Sequence, residues 1–292
     1  MSISPQLVKE LREKTGVGMM DCKRALSETN GDIEQAIDYL RKAGQSNADK
    51  KSSRIAAEGI VLLGSDEEKN LTVILEINSE TDFVAKDQKF LGFSNAVLEC
   101  LVASQVDTIE ELNQLSLGDQ GTVDDARKQL IAEIGENVSI RRFKYHRSTA
   151  ILGSYVHMGR IAVVAELNGG DAALAKDIAM QVAANNPQYL DSSSVPKEVL
   201  EREKDILTAQ ALAEGKPKEI VEKMIAGRIQ KFMEQITLLG QFFVKNPDIS
   251  IENLLSEASA SVLSYTRYEL GEGIEKKVDN FVEEVRRQSG IN

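Results

Sequence analysis

Apolar residues recur along this chain with two different periods, and the changes of period divide it into segments. Ser4-Pro5 marks a helix start, with Ser as N-cap and Pro at the first helical position. Leu7, Val8 and Leu11 then place an apolar stripe on one face. The run Thr15–Met19, TGVGM, breaks that helix, because two glycines permit a tight turn. A second short helix is predicted over Asp21–Thr29, burying Ala25 and Leu26, and Asn30-Gly31 turns the chain again. Asp32 and Gln35 have capping-box spacing for a third helix, whose Ile33, Ala36, Ile37 and Leu40 face inward. Gly44 reads as its C′ residue. Three short helices in about 40 residues form a marginal core by themselves, so such a module packs on a neighbour or binds something. Residues 45–58 are mostly polar, small and basic and read as a linker that is helical in part.

Strand periodicity follows, and it occurs twice. LTVILEINSETDFVAKDQKF from Leu71 and IAVVAELNGGDAALAKDIAM from Ile161 align at an offset of 90 residues without a gap. Over Leu62–Asn95, eight of 34 pairs are identical, Glu76/Glu166, Asn78/Asn168 and the run Ala85-Lys86-Asp87/Ala175-Lys176-Asp177 among them. Chance would give about two at average residue frequencies. Each copy reads as strand, turn, strand, then helix: Gly59–Ser65, Leu71–Asn78 and Asp87–Ala103 in the first, Thr149–Val156, Arg160–Asn168 and Asp171–Asn186 in the second. This predicts an α+β fold with two similar subdomains, each an antiparallel sheet with a helix on one face. Between them Asp107–Asn137 reads as mostly helical, and Val138–His146 as a further strand. Residues 196–238 carry two helical runs separated by Gly215-Lys216-Pro217, an antiparallel hairpin of coiled-coil type. A helix capped near Ser250, a strand-like run Ser261–Leu270 for the second sheet, the turn Gly271–Gly273 and a last helix from Ile274 to Gln288 complete the expected order.

Composition narrows the function. Lys plus Arg is 35 and Asp plus Glu is 46, a formal charge of −11, which argues against a broad basic face for nucleic acid. Two cysteines, Cys22 and Cys100, suit a reducing cytoplasm and make no disulfide framework. With His146 and His157 the only histidines, a metal site is not expected. No apolar run approaches the roughly 20 residues of a membrane span, and the start MSISPQLVKELREK has no leader pattern. There is no P-loop, GxGxxG after a strand, HExxH, GxSxG or CxxC, so an enzyme is the weaker hypothesis.

Two places do not settle on pattern alone. Met19 and Met20 sit where the second helix begins; the pattern favours core positions, while methionine also suits adaptable contact surfaces. In SETDFVAKD, Ser79–Asp87, the plain reading is that Thr81 or Asp82 caps a helix while Phe83 and Val84 pack beneath it. The second copy nevertheless has Ala172 and Ala173 in place of Asp82 and Phe83, which points to a use for Asp-Phe besides folding.

LVKELREKTGVGMMDCKRAL, EINSETDFVAKD, IGENVSIRR (Ile134–Arg142), GKPKEIVEKM (Gly215–Met224) and GEGIEK (Gly271–Lys276) together resemble the bacterial elongation factor Ts family, end to end. That family comprises guanine-nucleotide exchange factors of elongation factor Tu. The resemblance implies a three-helix module similar to a ubiquitin-associated (UBA) fold over 1–44, the linker 45–58, a first core subdomain over 59–146, and a second over 147–195 and 239–270. It also implies a coiled-coil hairpin over 196–238 and a C-terminal helical module over 271–292. Arg12, Met19 and Met20 are then expected to touch a helix of the partner's nucleotide-binding domain. Thr81, Asp82, Phe83 and Val84 match the stretch associated with expelling the partner's Mg²⁺, with Phe83 as a wedge and His157 beside it. The first-copy turn Asp66–Asn70 carries no His, so only His157 inherits that role. The partner is expected in its GDP-bound and nucleotide-free forms, in a complex of open stoichiometry, and the resemblance implies no cofactor, no membrane and no catalytic chemistry of the chain's own. The rival classes are an enzyme with scattered carboxylates, tested by turnover, and a plain adaptor in which Phe83 is dispensable.

Overall fold

In a computed structural model, which describes residues 3–213 and 218–275, the chain is a mixture of helices and antiparallel sheet, an α+β protein. In chain order the helices and strands are α1 (Pro5–Thr15), α2 (Met19–Glu28), α3 (Ile33–Lys51), β1 (Glu58–Asp66), β2 (Leu71–Ser79), α4 (Asp82–Ala85), α5 (Gln88–Ser104), α6 (Ile109–Gln114), α7 (Val123–Ile134) and β3 (Val138–Arg147). There follow β4 (Ile151–His157), β5 (Ile161–Asn168), α8 (Ala172–Asn185), α9 (Lys197–Ala213), α10 (Lys218–Ile236), β6 (Phe242–Phe243), β7 (Asn246–Ser250), α11 (Ile251–Glu257) and β8 (Ser261–Glu269). The predicted break at Gly215-Lys216-Pro217 and the predicted final helix beyond Glu275 lie outside the described residues.

The described residues form two compact units, one of 3–64, 75–144 and 269–275, the other of 65–74, 145–213 and 218–268. In the first, α1 to α3 enclose a small core of Val8, Leu11, Val17, Cys22, Ala25, Leu26, Ala36 and Leu40. Ser4 caps α1 by accepting from the Leu7 amide at 3.2 Å, and Gly16, at φ 70°, closes it in the left-handed region. Helix α3 does not stop at Gly44; it runs seven residues further, to Lys51, through much of the expected linker. Gly44 serves close approach instead of termination. A Cβ there would lie 3.1 Å from the Ala132 Cβ, so the missing side chain lets α3 pack on α7.

This unit carries the larger share of a sheet with strand order β1–β2–β3. β2, its central strand, is buried along its whole length, and α5 buries Phe90, Phe93, Val97, Leu98 and Leu101; it lies close on β1, where a Cβ on Gly64 would be 3.0 Å from Leu98. One charge lies within that buried strand. The Glu76 carboxylate accepts from the Gly271 amide at 2.8 Å, from Arg141 at 2.9 Å, from Arg142 at 2.6 Å and from Asn78 at 3.2 Å. Burial alone would raise its pKa; the Gly271 amide and the two guanidinium groups outweigh that and hold the carboxyl below its ordinary value.

In the second unit, β5 is the middle strand of the sheet β4–β5–β8, and β4 and β5 pair antiparallel from Ile151↔Leu167 to His157↔Ile161. Val163, Ala165 and Leu167 of β5 meet Ala175, Ile178, Ala179 and Val182 of α8 in the core. Gly153 lets β4 approach α8 closely as well, since a Cβ there would lie 2.1 Å from the Ala175 carbonyl carbon. Helices α9 and α10 pack on one another through Leu207, Ala211, Ile225 and Ile229. A short two-stranded sheet, β6 with β7, is an addition that the sequence pattern did not predict.

Candidate functional site

The segment after β2 differs from its repeat in backbone as well as in side chains. In the second copy, Asp171 accepts from the Leu174 amide at 2.8 Å and caps α8, which then runs unbroken through Ala175-Lys176-Asp177. In the first copy, Thr81 caps a single turn, α4, and the chain breaks at Lys86 and Asp87. Asp87 turns to extended backbone (φ −68°, ψ 136°) and caps a new helix, α5, by accepting from the Lys89 and Phe90 amides. The identical tripeptide Ala-Lys-Asp thus ends one helix and lies inside another. Ala172 and Ala173 favour helix continuity in the second copy, whereas Asp82 and Phe83 do not.

The isolated turn sets Phe83 on the surface, 81% exposed, while Val84 packs inward. The expectation that Phe83 also packs beneath the helix is therefore corrected: Thr81 caps, Val84 fills the core, and Phe83 does neither. Asp82 pairs with Lys86 at 2.7 Å across the turn, both in solvent. At its N-terminal end the turn meets the loop between α7 and β3. Glu136 accepts from the Thr81 amide at 3.0 Å and from its hydroxyl at 2.9 Å. The Asn137 amide donates to Glu80 at 2.6 Å, and the Asn137 side chain donates to the Arg54 carbonyl at 2.9 Å. Glu136 and Asn137 both lie in the IGENVSIRR run, but nothing in the sequence assigns either residue a task. Their partners lie 55 and 57 residues away, beyond the reach of any local pattern.

Met19 and Met20 open α2, and both are exposed, at 50% and 76%, which corrects the core reading. The helix begins at Met19 rather than Asp21, from Gly18, which offers no side-chain cap and so no visible start marker. Val17, Cys22 and Leu26 take the core positions. Arg12 lies exposed on the neighbouring helix α1. The α1–α2 turn borders the start of α5: a Cβ on Gly16 would lie 2.8 Å from the Lys89 amine, which itself pairs with Glu133 at 2.5 Å. Arg12, Met19, Met20 and Thr81–Val84 thus belong to one unit, and His157 belongs to the other.

His157 ends β4, with the Tyr155 hydroxyl 3.3 Å from its Nδ1 and the two rings stacked at 6.3 Å. The following turn, His157–Arg160, is closed by the Arg160 amide on the His157 carbonyl at 2.9 Å, with Met158 at φ 52° and Gly159 at φ 67°. Met158 and Gly159 both sit in the left-handed region, which Gly and Asn adopt most readily. Met158 holds this strained conformation while 85% exposed.

Among the described residues no group of three or more His, Cys, Asp or Glu side chains is placed to hold a metal, and no helix is long and apolar enough to cross a membrane. A family model described as "Elongation factor TS" matches residues 80–272. Elongation factor Ts of Legionella pneumophila (strain Lens) is 52% identical over 287 residues, covering 98% of this chain and 98% of that protein. Elongation factor Ts of Thioalkalivibrio sulfidiphilus (strain HL-EbGR7) is 50% identical over 291 residues, covering 99% of each. That of Francisella tularensis subsp. novicida (strain U112) is 50% identical over 287 residues, covering 98% of each.

Proposed function

Since the chain belongs to the elongation factor Ts family, and so to the proteins of translation elongation, we propose that it binds elongation factor Tu carrying GDP and promotes release of the nucleotide. Mg²⁺ bridges and neutralises a bound diphosphate, so disturbing its site weakens GDP strongly. In this reading α1–α3 dock as a UBA-like module through Arg12, Met19 and Met20. The Thr81–Val84 turn acts on the partner's Mg²⁺ and phosphate site, with Phe83 as the wedge. His157 adds a contact from the second unit, and α9 with α10 add another as a coiled-coil arm. The factor stabilises the nucleotide-free partner until GTP rebinds, and by reciprocity nucleotide weakens factor binding by the same ratio. It breaks no bond, works in the cytoplasm and needs no cofactor.

The observation that carries this reading is Phe83: an exposed aromatic side chain on its own capped turn, at a position where the repeat has alanine. Burying such a side chain against a partner offers about 2 to 3 kcal/mol of apolar contact. Catalytic amounts of the chain should accelerate release of fluorescent GDP from elongation factor Tu. Phe83→Ala should slow that release by at least about tenfold, and His157→Ala should slow it less. Unchanged rates with both substitutions would refute the wedge.

A further inference from the structure

We propose that Glu136 is a positioning residue that fixes how Phe83 is presented, an inference that rests on the exchange-factor reading above. Helix α4 has four residues, one turn, and a single turn does not hold itself in water. Of its residues only Val84 is buried, and its C-terminal end is held by the Asp87 amide on the Val84 carbonyl at 2.9 Å; the remaining hold on the turn comes from its N-terminal end. There one carboxylate takes both polar hydrogens of Thr81, the amide at 3.0 Å and the hydroxyl at 2.9 Å. Because the hydroxyl proton is committed to Glu136, its lone pairs are left to accept from the Val84 amide at 3.4 Å, which is the capping bond of α4. Glu136 therefore selects the hydroxyl rotamer that caps the turn.

The bracket is itself fixed. Asn137, buried beside Glu136, donates from its amide to Glu80 and from its side chain to the carbonyls of Arg54 and Ser52, at 2.6, 2.9 and 3.4 Å. Both ends of Glu80-Thr81 are thus tied to the α7–β3 loop. The second copy provides the contrast: Asp171 caps α8 with its own carboxylate, and the continuous helix requires no outside bracket. An external carboxylate occurs where the helix has been cut to a single turn that carries an exposed aromatic.

The chain contains no tryptophan, so Phe83→Trp introduces a sole indole whose steady-state anisotropy reports local rotation in the free factor. Added Glu136→Gln or Thr81→Val should lower that anisotropy, and Thr81→Ser, which keeps a hydroxyl that donates and accepts, should retain it. If Phe83→Trp disturbs the fold, fluorophenylalanine labelling of the native sequence gives the same readout through the width of the Phe83 resonance. With native Phe83, Glu136→Gln should lower the maximal GDP-release rate at saturating factor by about tenfold, or about 1.4 kcal/mol. The factor concentration for half-maximal release should change by less than about twofold, a split that a general loss of folded protein would not produce. Unchanged mobility at position 83 overturns the positioning role. Increased mobility with unchanged release supports the bracket and overturns the wedge role of Phe83 instead.

Discussion

Glu76→Gln removes the charge at the centre of the first unit while nearly conserving its shape, and its cost can be worked from the contacts. The carboxylate accepts four hydrogen bonds, two of them from guanidinium groups and one from the Gly271 amide. Breaking a buried ion pair from one side costs roughly 3 to 5 kcal/mol, because the partner charge remains. Arg141 and Arg142 retain 25% and 30% exposure of their side chains, so water satisfies part of what they lose, and the expected cost is about 3 kcal/mol. With no tryptophan to follow, far-UV circular dichroism in urea is the natural assay. At a slope of about 3 kcal/mol per molar the midpoint of the affected transition should fall by about 1 M. The repeat supplies an internal control: Glu166, at the matching position, accepts from the Ser264 hydroxyl at 3.1 Å, and Glu166→Gln should cost under about 1 kcal/mol. The pH dependence has a definite sign. The folded pKa of Glu76 is depressed, so its stabilisation is fully present above the ordinary glutamate value of about 4.3 and is lost as pH falls through the lower folded value. Wild type and Glu76→Gln should therefore converge in strong acid. A midpoint shift below about 0.2 M at neutral pH, or an equal effect of Glu166→Gln, would refute the reasoning.

Other consequences are equally direct. Phe83→Ala should leave the urea midpoint unchanged within about 0.5 kcal/mol, since the ring contacts mainly solvent. Met158→Asn should raise the stability of the second unit by about 0.5 kcal/mol, because asparagine adopts left-handed backbone at lower cost than methionine. Gly153→Val should cost at least about 3 kcal/mol, read as loss of helical signal at lower urea, because its Cβ would overlap the Ala175 backbone. The Tyr265 hydroxyl donates to the Pro187 carbonyl at 2.8 Å, and burial pushes its pKa up to about 12. That stabilisation is intact below the ordinary tyrosine value of about 10 and is lost as pH rises toward 12. Tyr265→Phe should flatten this alkaline limb in a urea series.

Much of the fold could be read from residue pattern because its rules are local. Alternation marked β2 and β5, the offset of 90 marked the repeat, and Ser4, Asp32 and Ser250 marked helix starts through short-range hydrogen bonds. What escaped depends on distant neighbours. Gly44 resembles a helix terminator until Ala132 is seen opposite it. Met19 and Met20 turn outward because α2 starts two residues early, at a Gly18 that leaves no side-chain mark. β6, two residues long, is too short to show a period. Within the candidate site, Phe83 stood out through its asymmetry with Ala173. Glu136 and Asn137 did not, because hydrogen bonds spanning more than fifty residues leave no spacing to recognise.

The order in which the first unit is assembled has a consequence for synthesis. Its three stretches bracket both stretches of the second unit along the chain. Glu76 meets its arginines 65 and 66 residues later, but Gly271 only 195 residues later. At about 5 to 20 residues per second, a ribosome takes roughly 10 to 40 s to add that final donor. Residues 145–268 are all made within that interval, while the central strand of the first unit lacks one partner for its buried charge. A released chain truncated after Leu270 should therefore resist protease in its second unit more than in its first, so that the segment made first is the last to be locked.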